Sequence, residues 1–275
     1  GNTGDNIDRY SLDTSVWSQA QKLIAPTPVA NMLLGEDVSI DDRGTKIIVG
    51  ERYYNNQQGR AYVYRKVGTA WYYTKTIYAS NPSTDDAFGK HLGLSGDGNR
   101  AIFGAENEDT TNGNSGMAYV WSAPAIASGA TITQFNGSAT RIGSSTHTGS
   151  YFNFGDSVAI SKDGNSIISG MRGATGGGRF SIHQKVSGTW SQVDTSGISN
   201  GGLFGYSVDI DEDGNTAIIG APQNPSGGTA RGQAMIRTYD GSNWTTQATL
   251  TASNAGNNDW FGHCVSISDD GNTAV

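Results

Sequence analysis

Residues 204–222 read FGYSVDIDEDGNTAIIGAP. After the Phe-Gly pair, Val208-Asp209-Ile210 alternates apolar and polar residues with β-branched side chains, the pattern of a half-buried strand. Asp213-Gly214 then offers a tight turn, with glycine taking the positive φ that a hairpin demands. A second apolar run, Ala217-Ile218-Ile219, follows, and Gly220-Ala221-Pro222 closes it. The stretch reads as a β-hairpin punctuated at both ends.

The same grammar recurs four times without gaps. It runs from Leu34-Gly35 to Gly50, Phe88-Gly89 to Gly104, Phe154-Gly155 to Gly170, and Phe261-Gly262 to Val275. The leading glycines stand 54, 66, 50 and 57 residues apart. Between hairpins lie a third strand, clearest at 59–64 and 116–121, and a fourth that opens at Trp71, Trp190 or Trp244. Four antiparallel strands in about 55 residues is the signature of a β-propeller blade. No segment sustains a 3.6-residue period, so the expected fold is all-β with almost no helix.

One propeller domain is expected over 1–275, with units at about 33–87, 88–153, 154–203 and 204–260. The fifth is a composite of 261–275 and 1–26. Residues 7–12 and 16–23 match third and fourth strands, and Tyr10 to Trp17 repeats the spacing of Tyr64 to Trp71. Five blades are therefore predicted, the last closed by both ends of the chain, which hides two sheet edges. The composite lacks a counterpart of 219–227, so the alternative is part of a six- or seven-bladed ring. Residues 143–150, rich in Ser, Thr and Gly, read as a long surface loop. The opening GNTGD has neither Met nor a leader pattern, as in a processed or partial chain.

Composition limits the function. Lys+Arg 18 against Asp+Glu 25 gives a net charge of −7, which argues against a nucleic-acid partner. No apolar run approaches the length that spans a bilayer, so no membrane insertion is expected. A single cysteine excludes an internal disulfide or a multi-cysteine metal site. Cys264 takes the slot of Ser157 and Ser207, which predicts a buried, inert thiol. His91, His147, His183 and His263 fall at non-equivalent repeat positions and show no metal spacing. No nucleophile elbow or phosphate loop is present, so no catalytic residue is assigned and a non-enzyme is expected.

The Phe-Gly and Gly-Ala-Pro punctuation resembles the FG-GAP repeat family, best known from the head of integrin α chains. The unit at 204–222 carries the motif in full; Leu34 replaces Phe in the first, and Gly50-Glu51 and Gly170-Met171 replace Gly-Ala-Pro. The resemblance implies an extracellular propeller used for binding or adhesion. Similar repeats occur in bacterial surface proteins and phage virion proteins, and the Asp-Gly-Asn style here suits a microbial or phage-type member. It also implies calcium in a D-x-D-x-D-G loop. Only Asp209, Asp211 and Asp213 have that spacing, and Ala217 stands where the late acid belongs. Weak calcium binding at that one turn is weighed against Asp residues that merely cap tight turns.

Asp209 replaces the small residue of other first strands, Ser39, Gly93, Ala159 and Ser266, and marks either a polar point on the channel or a bond to a neighbouring strand. Trp17, Trp71, Trp190 and Trp244 serve either blade packing or sugar stacking. Asn136 and Asn243 begin glycosylation sequons. The expected function is a non-enzymatic extracellular, cell-surface or virion-surface module that presents loops to a protein or glycan partner. The alternatives are a propeller lectin and, behind it, a hydrolase with an axial site.

Overall fold

A computed structural model describes residues 19–109, 113, 115–123, 139–143, 152–198, 201–225 and 229–275. The strands follow the repeat. The first sheet is β1 (Leu34–Ile40), β2 (Lys46–Glu51), β3 (Arg60–Val67) and β4 (Ala70–Ile77). The second is β5 (Leu92–Leu94), β6 (Arg100–Ala105), β7 (Met117–Ser122) and β8 (Thr140–Ile142). The third is β9 (Ser157–Ile160), β10 (Ser166–Met171), β11 (Arg179–Val186) and β12 (Thr189–Gly197). The fourth is β13 (Val208–Ile210), β14 (Thr216–Ala221), β15 (Gln233–Tyr239) and β16 (Trp244–Leu250). Each sheet is antiparallel with its strands in sequence order, the blade arrangement of a β-propeller. One helical turn, α1 (Tyr54–Gln57), lies in the β2–β3 connection; Asn55 and Asn56 have φ of 48° and 59°, so it does not continue.

A fifth hairpin follows the fourth sheet. Ile267 bridges Ala274, and Ser266 and Val275 exchange backbone hydrogen bonds of 2.9 and 3.0 Å. Residues 1–18, which hold the expected strand at 7–12 and the start of that at 16–23, lie outside the described residues, as do 144–150 of the expected long loop, His147 and Asn136; the rest of the second expected strand, 19–23, is described and is not a strand.

The Phe-Gly punctuation joins one sheet to the next. Gly59, Gly116, Gly178 and Gly232, each at the head of a third strand, bridge in parallel to Phe88, Phe154, Phe204 and Phe261 of the following unit. Phe88, Phe154 and Phe204 are buried there, each burial favouring the fold by about 1.5–3 kcal/mol. A Cβ added at Gly50, Gly104, Gly170 or Gly220 would collide with the carbonyl oxygen of Gly89, Gly155, Gly205 or Gly262. The second-strand glycine is thus where the next unit's Phe-Gly backbone docks.

Apolar layers fill the gaps between sheets. Ile48, Val63, Ile77 and Ala79 of the first unit pack on Leu92, Leu94, Phe103 and Tyr119 of the second. A separate layer lies on the opposite face of the first sheet, where Leu23 and Ala25 join Val49, Tyr62 and Tyr64. Tyr64 donates its hydroxyl proton to the Ile24 carbonyl at 2.8 Å. The Gln21 side chain both donates to and accepts from the Trp71 backbone.

Turns between first and second strands gather at one end. Asp42 N–H donates to Gly96 O (3.1 Å), and Gly96 N–H to Lys162 O (2.9 Å). Asp163 N–H donates to Glu212 O (3.3 Å), and Glu212 N–H to Asp269 O (3.1 Å). Lys162 also ion-pairs with both Asp42, at 3.3 Å, and Asp269.

Candidate functional site

The opposite end carries a cavity of about 450 Å³. It is built from a single repeat position. The residue after each Phe-Gly stands at the mouth of a first strand, and in four successive units it is Lys90, Asp156, Tyr206 and His263, all lining the cavity. The next position adds His91, Ser157, Ser207 and Cys264. Arg172, which follows the end of β10, completes the charged wall.

That wall spans the second and third units. Lys90 Nζ donates to Glu106 Oε1 and Oε2 at 2.7 and 2.8 Å and lies 3.5 Å from Asp156 Oδ1. Arg172 Nε is 3.1 Å from Asp156 Oδ2, and a terminal nitrogen is 3.6 Å from Glu106. Asp156 is only 2% exposed, yet its Oδ2 accepts no hydrogen bond among the described residues. Burial, and then the neighbouring Glu106, push the Asp156 carboxyl up to about 8. Burial acts the same way on Glu106, but the Asp156 hydrogen bond and Lys90 outweigh it and hold Glu106 low. At neutral pH the two carboxyls therefore hold one proton and one negative charge between them.

His91 is pushed down to about 4, by burial first and then by Lys90, so its imidazole is neutral. Its Nδ1 lies 3.9 Å from Asp37, whose Oδ2 accepts from Leu92 N–H at 2.8 Å. The other wall is aromatic. The Tyr206 ring lies 4.7 Å from His263, Trp260 stacks on His263 at 5.9 Å, and the Arg172 guanidinium stands 5.5 Å from the Tyr206 ring.

The three carboxylates weighed as a weak calcium site lie elsewhere. Asp209 Oδ2 accepts from Ser266 Oγ and Ile267 N–H, both at 2.9 Å, and so ties the fourth unit to the fifth. Ser39 does the same for the second, accepting from Leu94 N–H at 3.1 Å. Asp211 is buried and accepts from Asn215 N–H at 2.8 Å, capping its turn as Asp41 does from Thr45 and Lys46. Asp209, Asp211 and Asp213 form no group that could hold a metal ion, and the described residues contain no other. A cation of this class needs six or more oxygens, and two of the three carboxylates are already occupied.

With the geometry in view, the sequence match is informative. The profile of the FG-GAP repeat matches residues 17–64, 71–121 and 244–275. The chain carries FG-GAP repeats in these three stretches. Each matched stretch begins at a tryptophan, Trp17, Trp71 or Trp244, and in the second and third that residue lies in β4 or opens β16. No curated protein matches the chain. Among solved structures, a functionally unknown protein from Desulfotomaculum acetoxidans DSM 771 superposes with TM-score 0.56 at 12% identity, over 90% of this chain and 63% of that one. The periplasmic gluconolactonase PpgL of Pseudomonas aeruginosa gives 0.50 at 14%, over 80% and 58%. TolB from Acinetobacter baumannii gives 0.47 at 13%, over 87% and 47%. The chain thus spans between about half and two thirds of these structures, and its likeness to the first two is one of fold.

Two expectations about side chains are settled by position. Cys264 is exposed, not buried. Ser157, in the same slot, is buried because the next unit covers it and accepts its hydroxyl proton at Gly205 O; in the described residues nothing covers Cys264 in that way. Trp244 is buried, and Trp71 and Trp190 pack partly buried against apolar layers, so the described fourth-strand tryptophans serve the core. Trp17 lies outside the described residues. Only the hydrolase alternative called for a pocket, and it named no residue of this one. The signal was present: the residue after Phe-Gly, or after Leu34-Gly35 in the first unit, changes from Glu36 to Lys90, Asp156, Tyr206 and His263 while the grammar around it holds.

Proposed function

We propose that this chain is a non-catalytic binding module, a propeller that presents its axial face to a protein or glycan on an extracellular, cell or virion surface. One observation carries the reading. The connections between second and third strands, 52–59, 106–116, 172–178 and 222–232, leave their sheets at the cavity end and differ in length, while strand register is uniform. Variable connections on a rigid frame around a shared cavity suit recognition. The ionisable groups of the cavity are engaged with one another, which suits a stable lining better than proton transfer. Among the described residues no helix is long and apolar enough to cross a membrane, consistent with a surface module.

The frame we propose has five units around one axis, the fifth made from both ends of the chain. Leu23 and Ala25 stand 54 residues before Ile77 and Ala79, the spacing that separates Trp17 from Trp71. They pack on the first sheet just as Ile77 and Ala79 pack with the second unit. The reach of Lys162 to both Asp42 and Asp269 supports the same ring. Val38 and Ile40 are 59% and 52% exposed, whereas their counterparts Val208 and Ile210 are buried against the preceding unit; in the proposed ring the fifth unit would have to cover them.

The functional reading is tested by incubating the whole chain with chromogenic glycosides, esters, lactones and phosphate esters. No rate above buffer is expected. A saturable rate that disappears in Asp156→Ala would overturn it.

A further inference from the structure

Ion pairs follow the repeat through the first three units and stop at the fourth. The residue after the leading glycine pairs with the one just past its own second strand: Glu36 with Arg52 at 3.0 Å, Lys90 with Glu106 at 2.7 Å, Asp156 with Arg172 at 3.1 Å. The fourth unit has Tyr206 and Pro222 in these places, neither an acid nor a cation. The residue past the second strand also faces the next unit. Glu106 meets the Asp156 carboxyl there, whereas Arg172 meets the ring of Tyr206, 5.5 Å away. Arg172 therefore stands at the open end of the charged cluster, 34% exposed and lining the cavity.

The cluster behind it is out of balance. Lys90 and Arg172 bring two positive charges. Asp156 and Glu106 are in contact, and two touching carboxyls keep one proton, which leaves one negative charge between them. His91, beside Lys90, is neutral and adds none. The donors are unevenly engaged as well. Lys90 Nζ is directed at both Glu106 oxygens and at Asp156 Oδ1. Arg172 pairs with Asp156 and Glu106 at 3.1 and 3.6 Å but donates a hydrogen bond to neither, nor to any other described residue. A guanidinium in this state is matched by the two oxygens of a carboxylate, which it holds through paired hydrogen bonds. One monoanion neutralises the cluster; a dianion such as sulfate would leave surplus negative charge in a partly buried place. The cavity, about 450 Å³, has room for a small organic acid. We propose that it binds the carboxylate of a small monovalent organic acid on the guanidinium of Arg172, where the fourth unit supplies Tyr206 and no acid. This rests on the binding-module reading and names the ligand class of the same site.

Saturation-transfer NMR on the whole chain at neutral pH and low salt tests it. The probes are acetate, lactate, glucuronate and N-acetylneuraminate, each beside its methyl ester, with sulfate as competitor. At least one acid is expected to receive saturation, with Kd of roughly millimolar, and its ester to bind about tenfold or more weakly. That comparison uses the unmutated chain, so it does not depend on how a variant folds. Arg172→Met should weaken the acid about tenfold or more, while Tyr72→Ala, at an exposed position of β4, leaves it unchanged. Aliphatic and sugar acids binding alike would mark the carboxylate alone as the recognised group, and sugar acids alone would name their source; either supports the site. Saturation of no acid, equal binding of acid and ester, a signal that survives Arg172→Met, or sulfate binding more tightly than every acid would overturn the assignment and leave the binding-module reading standing. Conversion of a probe into new resonances faster than in buffer would instead overturn that reading.

Discussion

Asp156 concentrates the chemistry of the cavity in one side chain, and its protonation is measurable. Its folded pKa, near 8, lies above the ordinary carboxyl value of 3.8, so the folded chain binds the extra proton between those limits. Stability from this group is full below pH 4 and falls as pH rises towards 8. Glu106 works in the opposite sense and only at low pH, its stabilising effect lost as pH falls below about 4. Asp156→Asn keeps the neutral shape, so its melting temperature should fall less than that of the unmutated chain between pH 5 and 8.5, by roughly 2–4 °C per kcal/mol retained. Parallel pH profiles would show that the carboxyl ionises normally. Cys264 gives a second check at this scale: its thiol should react with a disulfide reagent in the native chain, and protection until unfolding would restore the buried thiol that the repeat comparison suggested. Residues were the least legible scale in the sequence. The comparison of units located each slot correctly, but whether a slot faces a neighbour or solvent depends on what lies beside it, as Cys264 and Ser157 show.

Elements were the most legible. Every hairpin read from alternation and an Asp-Gly or Arg-Gly turn is present, and β4, β12 and β16 lie at the tryptophans that foretold them. What alternation did not disclose was the purpose of the punctuation. The Phe of one unit is a plug for the layer behind it, and the second-strand glycine is the surface against which the next Phe-Gly backbone rests. Gly104→Ala should therefore destabilise by about 3 kcal/mol or more, because a backbone carbonyl cannot move aside as a side chain can. Gly68→Ala is the control: it has positive φ but open space for a Cβ, and should cost about 1–2 kcal/mol. Equal losses in urea unfolding of the two variants would remove close approach as the reason for the motif.

At the scale of the whole molecule, the cavity is a joint product of successive units: four of them each lend a residue to it from the same repeat position. The succession of hairpins was legible from glycine spacing, and the blade-like four-stranded sheets from strand count. The seam was less so, since half of the composite unit falls at 1–18 and its second strand is represented only by the pairing of Ala274 and Val275. Among the described residues the proposed seam rests on the packing of Leu23 and Ala25 against Val49, Tyr62 and Tyr64. If the fifth unit closes the ring, that packing supports both sides of the seam. Hydrogen exchange followed peptide by peptide in Leu23→Asp tests this directly. Faster exchange is expected in β1–β3 and, equally, in residues 261–275 on the far side of the proposed seam. Faster exchange confined to residues 19–77, with 261–275 protected as before, would contradict it.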